Sequence, residues 1–449
     1  MSESVKSHET FDEKLFDSFA EFGSFQAFQY LNGDKQYRNE QKQKFLSGEI
    51  TNPSLDYPDI DLEKFTQIEE SLLAMRQDVI LNEKNEVVKQ TYRWRLNEKI
   101  AEVRMLTSVA TGDMRRFKRY SEYIYGKPSI ETFAYSVNSI RSKAMDSIDS
   151  DNTELREAAT ELLGCLSEIN GSEVSTLPTQ ETVDLAHNRT VDELGHLVKI
   201  QSDTNKFTAE QMKEVFDSAI DTLNATGWNV SIDDSTSKTG VTTDQEAKSI
   251  IIPQDRTVSR NKLETLIIHE VGTHIARRVN GERSRLKLLS LGLDRYEAGD
   301  EGVATMREQA VLGKVDDYRG IDGLLAVGLC LGLDGEQRDF RQVYKILEKY
   351  YLFKNLSAGK EDSLEKAQNS AWNRAVRTFR GSDCNTPGVC LTKDLIYRDG
   401  NIKTWNVIKD SPNEMLRFNI GKYDPSNPRH IWILEQLGIS DQDLKDLES

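Results

Sequence analysis

The chain has 449 residues, 37% of them hydrophobic, and a formal net charge of −16 at pH 7. That length and apolar fraction support two or three domains, or one large helical catalytic unit with an attached subdomain. The acidic balance opposes non-specific attraction to nucleic acid or to an anionic membrane, so neither is expected as a partner.

Four scattered cysteines, Cys165, Cys330, Cys384 and Cys390, are too few for a disulfide scaffold. The opening stretch MSESVKSHETFDEKLF has no basic region followed by an apolar run, and no window approaches the roughly eighteen apolar residues of a membrane span. A cytoplasmic location is the expectation. The basic stretch RRFKRYSEYIYGK mixes cations with tyrosines, but its pattern is helical and the chain as a whole is acidic.

Residues 1–27 read as a flexible tail and 28–205 as a helical N-terminal region. From about 58 to 121, leucine, isoleucine and valine recur at three- and four-residue spacings amid charge, the signature of amphipathic helices packed on a partner. Gly126 and Pro128 stop one helix and begin another, and a further helix covers about 153–168. Residues 170–205, rich in Ser, Thr, Asn and Asp, read as a loop or short surface helices.

Residues 206–449 read as a catalytic region with a helical C-terminal part. It opens with a helix, TAEQMKEVFDSAIDTLNATG, ended by Gly227. Two strands follow, WNVSID and KSIIIP, with Val241 to Asp244 adding a little more between them. Ser259 is placed to cap the next helix and Gly281 to end it. Helices are expected over about 300–313, 321–332, 338–354 and 362–379, and a strand or short helix in CLTKDLIYRDG. The fold class is therefore α+β, mainly helical, with a small sheet beside one particular helix.

That helix carries LIIHEVGTHIARRVNG, with His269 and His274 five residues apart. Residues on an ideal helix advance about 100° each, so histidines four apart diverge by about 40° and can share a metal, whereas five apart they diverge by about 140°. A π-turn, closed over five residues, restores both to one face, and such bulges mark functional positions. A π-bulge from Glu270 to His274 is predicted, with Gly272 making the adjustment cheap. The opposing reading is a chance pair of histidines, each satisfied by a carbonyl. Against it, Leu263, Leu266, Ile267 and Ile268 make the helix start apolar, and sinking a glutamate and two histidines there is costly unless they are paired or metal-bound.

A third ligand would come from YEAGDEGVATMREQ, where Glu297, Asp300 and Glu301 all compete. Two histidines and one carboxylate leave the fourth position of a single zinc ion open for water. Glu270 would then be the general base toward the zinc-activated water, and Glu308, two turns beyond Glu301, would orient a ligand histidine from behind.

The strings HEVGTHIARRVNG and DEGVATMREQ resemble the microtubule-associated tyrosine carboxypeptidase-like family, former domain-of-unknown-function metallopeptidases marked by His-Glu-x-x-x-His and Glu-Gly-Leu-Ala. Two outer blocks are similar too, YRWRLNEKIAEVRMLTSVATGDMRRFKRYSEYIYGKPS and AVRTFRGSDCNTPGVCLTKDLIYRDGN, so the resemblance runs from about residue 28 to about 437 and suits a bacterial-type member. It implies a zincin-like metallopeptidase with His269, His274 and Glu301 as zinc ligands and Glu270 as catalytic base, and it selects Glu301 from the three competing carboxylates. The family's eukaryotic enzymes remove the C-terminal tyrosine of alpha-tubulin, which implies carboxypeptidase chemistry on a peptide or protein C-terminus. This chain departs in reading Glu-Gly-Val-Ala, with Asp300 before it. Tubulin is not assigned as substrate, because an acidic enzyme suits an acidic tail poorly without a local basic cleft.

A carboxypeptidase must hold a free carboxylate, and the block resembling the family offers Arg374, Arg377, Arg380, Lys393 and Arg398. Arg380 and Lys393 are the substrate candidates, with Tyr397 as a donor to the oxyanion. Arg277 and Arg278 are expected to pair with nearby acids, and His8, His187, His196 and His430 to sit at the surface or cap helices. An endopeptidase or other zinc amidohydrolase would use the same centre without a carboxylate clamp. A non-catalytic zinc-containing binding protein would have no need of Glu270. Oligomeric state is not legible.

Overall fold

The computed structural model describes residues 10–23, 25–171, 177–200, 204–234, 240–440 and 442–443. His8, the first nine residues of the expected tail, and the turn residues 235–239 lie outside them. Among the described residues the chain is mainly helical with two small sheets, an α+β architecture. No helix is long and apolar enough to cross a membrane.

The N-terminal region begins earlier than its sequence suggested. A helix, Glu13–Gly23, stands where flexible chain was expected, with Phe19 fully buried against Tyr92. Asp12 fixes its start, accepting the backbone N–H groups of Lys287 and Leu288 at 2.8 and 3.0 Å. The periodic stretch divides into Leu62–Asn82, Glu86–Thr111 and Met114–Tyr125, with Asp61, Asn85 and Asp113 accepting amide bonds as N-caps. Gly126 and Pro128 separate the last of these from Ile130–Met145, as predicted, and Thr153–Cys165 follows.

Two segments form longer helices than expected. Gln180–Leu194 occupies the polar stretch read as loop or short helices. Its buried face is Val183, Ala186, Thr190 and Leu194, a helical stripe in which two of four members are small or polar. The second is Leu395–Asp410, sixteen residues where a strand or short helix was anticipated. It packs along Glu297–Val311, and two glycines explain how closely: a Cβ on Gly302 or on Gly400 would run into backbone of the other helix.

The sheet lies where alternation placed it. Strands β1 (Lys206–Phe207) and β5 (Val258–Ser259) pair antiparallel as a two-residue clasp. β2 (Asn229–Asp233), β3 (Thr242–Asp244) and β4 (Ser249–Pro253) form a three-stranded sheet in the order β2-β4-β3, parallel between β2 and β4 and antiparallel between β3 and β4. β4, with Ile250 and Ile252 fully buried on one face and Ser249 and Pro253 buried on the other, is the central strand, which leaves β3 as an edge. The helix Ala209–Thr222 packs on this sheet, stopping at Thr222 rather than running on to Gly227.

Ser259 caps the histidine-bearing helix through the Lys262 amide. That helix runs through Arg260–Leu266, Ile267–Ile275 and Ala276–Arg283 without a break. Gly281, expected to end it, lies inside it, where a Cβ would strike the backbone of Leu289 and Ser290. The remaining predicted helices form at Ile321–Leu331, Phe340–Ser357 and Ser363–Phe379, and Pro428–Gln436 closes the described chain.

Candidate active site

The middle section of the histidine helix is π-helical over all nine residues Ile267–Ile275, wider than the bulge predicted between Glu270 and His274. The wide turns bring the His269 and His274 rings to one side, with centroids 4.9 Å apart and planes at 74°. Gly272 is needed for packing as much as for backbone freedom: a Cβ there would lie 2.9 Å from Leu194 of the unanticipated helix Gln180–Leu194.

The helix Glu297–Val311 crosses this turn and sorts the three competing carboxylates. Glu301 faces the histidines, and one ligand atom from each of His269, His274 and Glu301 lies within 4.8 Å of the others. Asp300, one residue earlier, instead accepts from His274 Nδ1 at 2.8 Å, while its other oxygen meets the fully buried guanidinium of Arg277 at 2.8 Å. Glu297 pairs with Lys393. On the other ring, His269 Nδ1 sits 2.8 Å from Glu308 Oε1, a charge contact not aligned as a hydrogen bond. Both Nδ1 atoms are thereby occupied from behind, and Nε2 of each ring is left for the cleft.

The electrostatics follow from these neighbours. Burial pulls the His269 pKa down, but Glu308, Glu270 and Glu301 together push it up to about 9. Burial raises Glu301, against the pull of the two histidines. For Asp300 burial is outweighed by His274, Lys422 and Arg277, which hold it well below the usual carboxylate range. Glu270 accepts from Thr243 Oγ1 of the edge strand β3 at 2.5 Å.

These groups open into a cleft of about 670 Å³ that also receives Arg377, Arg380, Lys393 and Tyr397. They are not equally free. Arg374 is consumed by Asp322 and Asp394, Arg377 by Asp394, and Arg398 by Asp317 and the Tyr318 carbonyl away from the cleft. Lys393 is held by Glu297 and lies over the rings of Phe28 and Tyr125 at 4.3 and 5.0 Å. Arg380 has no carboxylate within ion-pair distance among the described residues; its nearest polar partner is Asn32 Oδ1 at 3.4 Å, and burial lowers its pKa. The Tyr397 hydroxyl, raised by burial and by Glu301, stays protonated.

Several cleft residues had no signal in the sequence. Thr243 reaches Glu270 only through the antiparallel pairing of β3 with β4, and Gln26, Phe28, Gln29 and Asn32 arrive from the far N-terminal end of the chain. Lys422, pushed down to about 8 chiefly by burial, also lines the wall. Arg277 and Arg278 do pair with acids, Asp300 and Glu282. His430 is not at the surface: it is fully buried, its Nδ1 accepting the Asp424 amide and its Nε2 donating to the Asp294 carbonyl. His187 is half-buried against the Ala310 carbonyl, and His196 is exposed.

Two imidazoles and a carboxylate, with a second carboxylate beside them, are the donor set that a borderline divalent ion prefers. Ligand atoms around one such ion lie roughly 3.4 Å apart, so the triad fits after a side-chain closure of about an ångström. No solved structure matches the chain. Microtubule-associated tyrosine carboxypeptidase 1 of Mus musculus is 28% identical over 146 residues, covering 31% of this chain and 27% of the mouse protein, so the matched stretch is about a quarter of that relative's length. The family model described as microtubule-associated tyrosine carboxypeptidase matches residues 167–442, more than half of the chain, and the chain belongs to that family.

Proposed function

We propose that the chain is a zincin-like, zinc-dependent metallopeptidase that acts as a carboxypeptidase on peptide or protein C-termini. The observation that carries this is the convergence of His269, His274 and Glu301, with Glu270 alongside, in one cleft with the guanidinium of Arg380, which has no ion-pair partner among the described residues. His269, His274 and Glu301 would hold a single zinc ion. When bound, zinc supplies Lewis acidity, polarising the scissile carbonyl and making water a nucleophile near neutral pH.

The protein's own groups do the rest. Glu270, the next residue after a ligand, takes the proton from the attacking water and hands it to the leaving amine. Thr243 donates to one of its oxygens and holds the carboxylate in place. Asp300 and Glu308 hold the Nδ1 side of the two rings from behind, so that Nε2 of each is the atom left facing the cleft. Tyr397, protonated at working pH, donates to the oxyanion of the tetrahedral species.

Arg380 is the better of the two carboxylate-binding candidates. A guanidinium offers a bidentate fork, and this one makes no ion pair among the described residues, whereas Lys393 is paired with Glu297. The outer edge of β3 gives the peptide an extended surface to lie along. The test is to incubate the zinc-loaded protein with a mixed peptide library and map the products by mass spectrometry. Release of single C-terminal residues is the expected result; internal cuts would make it an endopeptidase, and no cleavage would end the peptidase reading.

A further inference from the structure

Resting on that carboxypeptidase reading, we infer that the N-terminal segment Gln26–Asn32 is the stop that ends the cleft one residue beyond the scissile bond, with the Phe28 ring as its blocking surface. The segment lies outside residues 167–442, which the family model matches, yet Gln26, Phe28, Gln29 and Asn32 line the cleft.

A chain of contacts ties it to the reaction centre. Glu297 lies four residues before Glu301 on one helix, so the two share a face about 6 Å apart. Glu297 holds Lys393, and the Phe28 ring sits over the Lys393 ammonium at 4.3 Å. At the other end of the segment, Asn32 touches the Arg380 guanidinium. Each extended residue needs about 3.5 Å of length. The Phe28 ring stands beyond the Glu297–Lys393 pair from Glu301, and in the assigned stop one residue and its terminal carboxylate fill the cleft before the ring while a longer chain meets it.

A stop must not yield, and this one is anchored independently of the cleft. Ala27 and Leu31 are fully buried. The Ala27 amide donates to Glu102 at 3.0 Å, Lys99 donates to the Phe25 carbonyl, and Arg38 donates to the Leu31 carbonyl at 2.8 Å. Glu102 and Lys99 belong to a buried charge row with Arg95 and Glu98 on Glu86–Thr111. The N-terminal helices thus hold a wall against the catalytic half. Phe28 itself is only half-buried, so trimming it leaves these anchors in place.

The experiment compares full-length zinc-loaded wild type, Phe28→Ala and Phe28→Trp on an N-terminally blocked peptide and on its C-terminally amidated counterpart, with products read by mass spectrometry. The wild type is expected to release single residues. Phe28→Ala should release dipeptides and cut the amidated peptide about tenfold faster than wild type, whereas Phe28→Trp should keep single-residue release and slow it for bulky terminal residues. A general loss of structure would push both variants the same way. Wild-type single-residue release with an unchanged product pattern in Phe28→Ala overturns the stop and leaves the carboxypeptidase reading intact. A wild type that cuts internally, or not at all, overturns both.

Discussion

The Thr243 hydroxyl lies 2.5 Å from a carboxylate oxygen of Glu270, joining the edge strand of the small sheet to the residue that follows the first histidine. The edge strand proposed to receive the peptide therefore also touches the proposed general base. Removing that hydroxyl should act on turnover rather than on binding. Thr243→Val is expected to lower kcat about tenfold, equivalent to about 1.4 kcal/mol, with KM and zinc content near wild type. Thr243→Ser should restore most of the rate. Equal losses in Val and Ser variants, or an effect confined to KM, would contradict the positioning role.

Asp300 serves two partners at once, the His274 ring and the buried Arg277 guanidinium. Asp300→Asn leaves a buried cation without its counter-charge, which costs about 3 kcal/mol of stability, and weakens zinc binding by about tenfold or more. Glu308→Gln, whose carboxylate faces His269 and the half-exposed Lys262, should weaken zinc binding with little loss of stability. Urea unfolding and competition with a chelator would separate the two variants, and equal behaviour would contradict the distinction.

Acid stability should depend on Asp294, which is not among the residues lining the cleft. Burial pushes its pKa up, but the neighbouring His430 ring and the charges of Arg429 and Arg295 hold it at about 2, against 3.8 when unperturbed. A depressed carboxylate stabilises the fold above its unfolded pKa and loses that contribution as pH falls toward the folded one. The gap between wild type and Asp294→Asn in urea unfolding should therefore be full above about pH 5, worth about 2 kcal/mol for this term, and shrink as pH drops from 4 to 2. A gap independent of pH would contradict it.

The histidine helix was legible because its clue is angular: five-residue spacing predicts a widened turn, and the turn is there. Strands β2 and β4 were legible from alternation and from Pro253. Gln180–Leu194 escaped because its buried stripe uses Ala186 and Thr190, which carry little apolar weight. Leu395–Asp410 escaped because its close approach to Glu297–Val311 depends on Gly302 and Gly400 meeting across the interface, which neither sequence segment reveals alone. Spacing left three carboxylates open, and only the crossing of two helices separates Glu301 from Asp300 and Glu297. The N-terminal wall of the cleft is a contact between residues more than 300 positions apart, and no local pattern announces it.

The most direct measurement is the zinc stoichiometry of the intact protein, by native mass spectrometry, for wild type, Glu270→Gln, His274→Ala and Glu301→Ala. Wild type and Glu270→Gln should each carry one zinc, the latter without peptidase activity, and the two alanine variants should lose it. A wild type that takes up no zinc, or alanine variants that bind it as tightly as wild type, would contradict the assignment of these residues as one metal centre.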